Sequence, residues 1–100
     1  YIPQVFYHDL QPDSEGRVEV RLVNPAFQFS KELGIAWQYR KSDYPILVQW
    51  KMMTAGSYVV GIEPSNCHVE GRPSERERGT LRVLAPQESH TYPMEIRFWL

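Results

Sequence analysis

Cysteine is almost absent: Cys67 stands alone, so no internal disulfide can form. Neither asparagine, Asn24 or Asn66, opens an N-glycosylation sequon. Both features point away from an oxidising compartment and toward a reducing cytoplasm. Long apolar runs are missing too. Stretches such as Tyr58-Val59-Val60-Gly61-Ile62 fall far short of the roughly 20 residues a membrane-spanning helix needs, and no signal-peptide pattern opens the chain. The expectation is a soluble protein with no membrane partner. An excess of either charge is also lacking: 11 Lys and Arg stand against 12 Asp and Glu, with no basic stripe to follow a phosphate backbone. Nucleic acid is therefore not an expected partner.

Metal and cofactor signatures are scarce in the same way. His8, His68 and His90 are far apart, and Cys67-His68 alone lacks the spacing of a zinc site. No nucleophile elbow, Walker loop or dinucleotide glycine fingerprint occurs. Neither a metal nor a cofactor is expected.

What is present is apolar and aromatic: 42% of the 100 residues are hydrophobic and 13% aromatic, enough for one compact core. Residues 1–100 read as a single segment, one domain or part of one. The chain opens Tyr1-Ile2-Pro3 without an initiator methionine and enters an apolar strand at once, which suggests numbering that starts inside a longer protein.

Arg17 to Val23 alternates strictly, with Val18, Val20 and Leu22 on one face and Arg17, Glu19 and Arg21 on the other, the period-two pattern of a half-buried strand. Gln4 to Leu10 is a second strand candidate, and Pro12-Asp13-Ser14-Glu15-Gly16 carries the turn chemistry to pair the two as a hairpin. Asn24-Pro25 breaks the run, residues 26–33 are compatible with strand or with one helical turn, and Gly34 to Arg40 reads as strand. Ile46 to Met53 and Tyr58 to Glu63 form a further hairpin around Thr54-Ala55-Gly56-Ser57. Leu81 to Leu84 and Met94 to Phe98 alternate around Ala85-Pro86-Gln87-Glu88 and complete about seven short strands. In the long irregular stretch from Pro64 to Gly79, Ser74 and Glu77 have capping-box spacing, so a single helical turn is expected at Ser74–Arg78. Short strands, frequent turns and no long helical period predict an all-β, antiparallel sandwich.

Few residues stand out chemically. Glu63 ends an otherwise apolar strand on the face of Val59 and Gly61, where a glycine leaves an open slot beside a group able to take a proton. The plainer reading is a solvated strand end. Trp50 and Lys51 point to opposite faces of the preceding strand. A four-residue hairpin loop puts Trp50 opposite Gly61, and a one-residue shift puts Lys51 there. Trp50 offers an aromatic platform and Lys51 a donor, although Trp50 also shares a face with Ile46, Val48 and Met52 and so suits the core. Glu70, Arg72, Glu75, Arg76, Glu77 and Arg78 balance in sign and read as a self-compensated solvated loop, in which Arg72 is the member to watch.

The stretches Tyr44 to Met53 and Tyr58 to Cys67, with Gly71-Arg72 and Glu75 to Leu81, resemble the C-terminal third of a bacterial aldose 1-epimerase-like family. The likeness runs from Val5 onward and takes in Val23-Asn24-Pro25 and the closing Leu84 to Phe98 segment. It implies a C-terminal portion of the large galactose-mutarotase-like sandwich, which binds a monosaccharide in a concave cleft. In that family a glutamate near the C-terminal end of the fold is the general base, and Glu63 in Gly61-Ile62-Glu63-Pro64 looks like it. The family's acid is a histidine on an upstream segment that none of His8, His68 and His90 matches. Alone, the segment would therefore lack half of the acid–base pair and be inactive, with strand edges exposed to another copy or to the rest of the sandwich. Trp50, Lys51, Asn66 and Arg72 are candidate sugar contacts on local chemistry and loop position. A noncatalytic carbohydrate-binding or interaction module on the same fold is the alternative.

Overall fold

A computed structural model describes residues 2–29 and 31–100. Tyr1 and Ser30, touched by the readings of the chain start and of residues 26–33, lie outside the described residues. Among the described residues the structure is all-β and antiparallel, with six strands and one short helix. Six strands form two three-stranded sheets: β1 (Gln4–His8), β4 (Ile46–Thr54) and β5 (Ser57–Ser65) in the order β1-β4-β5, and β2 (Arg17–Phe27), β3 (Lys31–Arg40) and β6 (Glu95–Trp99) in the order β2-β3-β6. These belong to two compact units, residues 1–10 with 44–91 and residues 11–43 with 92–100. Among the described residues no helix is long and apolar enough to cross a membrane.

In the first unit, β4 and β5 make the expected hairpin. Thr54 pairs with Ser57 across Ala55-Gly56, and Gly56 takes the positive φ of 79° that a tight turn requires. This register places Trp50 opposite Gly61 and Lys51 opposite Val60. Directly paired residues share a face. Tyr7, Val48 and Glu63 thus form one row across the three strands, with Val5, Trp50 and Gly61 in the next row. Leu47 and Val48, on opposite faces of the central strand, are its buried apolar positions.

In the second unit, β2 runs through Asn24-Pro25 rather than ending there, and the register shifts between Asn24 and Phe27. A β-bulge accommodates the residue that cannot donate to the ladder. The alternation read from sequence holds: Val18 and Tyr39 are buried on one face, and Arg17, Glu19 and Arg21 line the other.

Three further expectations are corrected. β1 pairs with β4 and not with β2, because Asp13 builds a turn that starts β2 instead of reversing β1: its side chain accepts the backbone N–H of Glu15 and of Arg17, both at 2.9 Å. Leu81 to Leu84 is not a strand, and β6 pairs with β3. The Ala85–Glu88 turn does form, with the Glu88 N–H on the Ala85 carbonyl. Finally, the helix α1 spans Arg72–Arg78, two residues longer than read. Gly71 rather than Ser74 is its N-cap, Pro73 sits in its first turn, and Gly79 closes it in the left-handed conformation.

Candidate functional site

The row of residues on the β1-β4-β5 sheet positions the carboxylate singled out above. Glu63 is exposed near the end of β5, and its Oε1 folds back over Gly61: a Cβ on that glycine would lie 2.6 Å from Oε1 and 3.4 Å from the Cβ of Trp50. The carboxylate thus occupies the space a side chain at position 61 would fill, and a larger residue there would make the end of Glu63 shift. Glu63, Gly61 and half-buried Trp50 are thereby brought together on one face, while Lys51 lies on the opposite face. Arg72 is exposed at the first helical position of α1.

Asn66 belongs to a second feature of the same unit, an open groove of about 480 Å³ at the sheet end, lined among others by Tyr7, Asp9, Ile46, Asn66, His68 and Arg82. The segment from Cys67 to Thr80 packs beside it and is tied down by one side chain that the sequence reading grouped with the solvated charges. Glu75 is only 3% exposed, the buried charged residue among those described. Its Oε1 accepts the backbone N–H of His68 at 2.5 Å and lies 3.2 Å from His68 Nδ1, and its Oε2 accepts the Thr80 hydroxyl at 2.5 Å. Arg78 approaches at 3.5 Å and also reaches Glu70 at 3.4 Å, so part of the expected charge compensation is present. The Thr80 hydroxyl first, and then the His68 backbone N–H, hold the Glu75 carboxyl below the ordinary carboxylate range against the opposing effect of burial. Tyr7 completes the support: its ring meets the His68 imidazole edge-on, centroids 4.9 Å apart, and its hydroxyl accepts the Val69 N–H at 3.2 Å. Nothing in the local sequence separates Glu75 from Glu77, because the partners that bury it are brought in by loop closure.

The matched family is described as a domain of unknown function, DUF4432, and its model covers residues 1–98. The chain belongs to the DUF4432 family. That match takes in both features of this DUF4432 chain, the Glu63 row and the groove. No curated protein and no solved structure matches it.

Proposed function

We propose that this chain is the carbohydrate-binding, C-terminal portion of an aldose 1-epimerase-like isomerase that interconverts the anomers of a monosaccharide in a reducing cytoplasm. The observation that carries the reading is the exposed Glu63 carboxylate, folded over Gly61 beside Trp50 on one sheet face. A sugar ring laid against Trp50 would bring its anomeric hydroxyl to that carboxylate, and aromatic faces suit the C–H side of a pyranose. Glu63 takes the anomeric proton as an acid protonates the ring oxygen. The C1–O bond of the ring then breaks, the aldehyde rotates, and closure with the proton transfers reversed yields the other anomer. The resemblance assigns the acid to an upstream histidine, so the segment by itself would bind without turnover. Free, exposed Cys67 agrees with a reducing compartment.

Exchange NMR between the anomers of a panel of free aldoses, on the intact natural protein, tests this. Glu63→Gln is expected to slow enzyme-catalysed exchange by about 10²–10⁴-fold, the usual contribution of general acid–base catalysis, while sugar binding persists. Unchanged exchange removes Glu63 as the base. The noncatalytic module is the second reading, favoured by the place of Asn66 in a groove whose lining does not include Glu63. Binding of aldoses by the intact protein with no exchange at any Glu63 genotype would select it.

A further inference from the structure

A buried carboxylate needs its lone pairs satisfied, and Glu75 achieves this through Thr80 and two groups of His68. An ionised carboxylate only accepts hydrogen bonds. A neutral imidazole that meets it through Nδ1 therefore carries its proton on Nδ1 and leaves Nε2 as an acceptor. Among the described residues that Nε2 has no protein partner. The ring is held from two sides, by Glu75 and by the edge of Tyr7, and it lines the groove at the sheet end. The volume of about 480 Å³ suits a small cyclic ligand.

We infer that this groove is a binding subsite for a cyclic polyol, in which His68 Nε2 accepts a hydrogen bond from a ligand hydroxyl and Glu75 is the positioning residue that holds the imidazole in that tautomer. The donor set selects the ligand class. An unprotonated Nε2 needs a partner that donates, which a hydroxyl does and a fully ionised phosphate does not. Pro45 and Ile46 in the lining supply apolar surface for ring C–H groups. Arg82 is the lone Arg or Lys in the lining. The inference rests on the carbohydrate reading for the class of ligand and extends it to residues outside the Glu63 row.

The test is ¹⁵N–¹H NMR of the histidine side chains in the intact natural protein near pH 8, above the ordinary imidazole range of about 6.5, titrated with myo-inositol, D-galactose and inorganic phosphate. Myo-inositol has no anomeric carbon, so its binding is independent of turnover. The expected results are a His68 ring protonated on Nδ1, an Nε2 signal that moves with the two polyols and not with phosphate, and the same response in Glu63→Gln. His68→Phe keeps the contact with Tyr7 and is expected to weaken inositol binding about five- to tenfold, the scale of one hydrogen bond. Glu75→Gln can keep its oxygen toward the backbone N–H and Nδ1–H of His68 and turn its NH₂ to the Thr80 hydroxyl, so it is expected to keep the proton on Nδ1, whereas Glu75→Leu, which offers no acceptor, is expected to lose that preference. An Nε2 signal that responds to phosphate alone or to nothing, or a wild-type ring protonated on Nε2, overturns the inference. Loss of anomer exchange in Glu63→Gln without any polyol response at His68 overturns the subsite and leaves the base standing. A polyol response with exchange indifferent to Glu63 does the reverse.

Discussion

In the β2-β3-β6 sheet Glu19 pairs with Arg21 on its own strand at 2.8 Å and with Arg97 of β6 at 3.3 Å, and both guanidiniums lie within 6 Å of the Trp99 ring centre, at 5.5 and 5.8 Å. Trp99 in turn donates its indole N–H to Glu32 at 2.8 Å. Polar groups in that unit answer one another across the strands, and Ala36, paired with both Arg21 and Arg97, is buried on the otherwise charged face. In the β1-β4-β5 unit they gather instead at one end of the sheet, where Glu75 fixes a loop and His68, Asp9 and Asn66 line an opening. The same residue types thus serve two purposes. In one unit charge joins neighbouring strands of a sheet, and in the other it ties a loop down beside a groove.

Substitutions can break this contrast at several points. The largest effect is expected for Tyr39→Ala in the second unit, where a side chain only 1% exposed is lost: about 3–5 kcal/mol, measured by urea unfolding. Gly34→Ala comes next. Its new Cβ would fall 2.0 Å from Trp99 Cζ2, so the indole must leave the strand, with a cost of about 1–3 kcal/mol and a changed tryptophan emission. Unaltered emission and stability would show that Trp99 is not held against that glycine.

An acid titration compares the units directly. The Glu75 carboxyl is held low by Thr80 and His68, that of Glu19 by the Arg21 guanidinium, and that of Asp13 by the Arg17 and Glu15 backbone N–H groups. A carboxyl whose folded pKa is depressed stabilises the fold above its unfolded value and loses that contribution as pH falls through the folded value. Stability should therefore fall below the ordinary carboxylate range in both units. Hydrogen exchange at the His68 amide should be the reporter of the Glu75 site, and Glu75→Gln should raise exchange there while leaving the Arg17 amide unchanged. The smallest effect is expected for Glu63→Gln: an exposed carboxylate whose loss leaves the unfolding midpoint unchanged within error, so any change in anomer exchange reports chemistry rather than folding.

Much of the architecture was legible because the strand period is local. Arg17 to Val23 and the Ile46 to Glu63 hairpin declare themselves through alternation and through turn residues such as Gly56, and both appear as read. The β1–β2 hairpin did not appear, since turn chemistry at Pro12 to Gly16 says that the chain bends and not which strand it bends toward. Leu81 to Leu84 alternates without a partner strand, and alternation alone cannot supply one.

For the candidate site the division is similar. Glu63, Gly61 and Trp50 were placed by strand period plus one choice of register, and the observed pairing made that choice. Glu75 and His68 were not separable from their neighbours. By itself the sequence determined an all-β, antiparallel chain with a carboxylate at the end of an apolar strand, because strand periodicity and turn geometry depend on residues close in the chain. Only the tertiary structure decided which strands pair, which charge is buried and which histidines, His8 and His68, line a groove. Those outcomes depend on contacts across tens of residues, as between Tyr7 and Val69, and no local pattern encodes them.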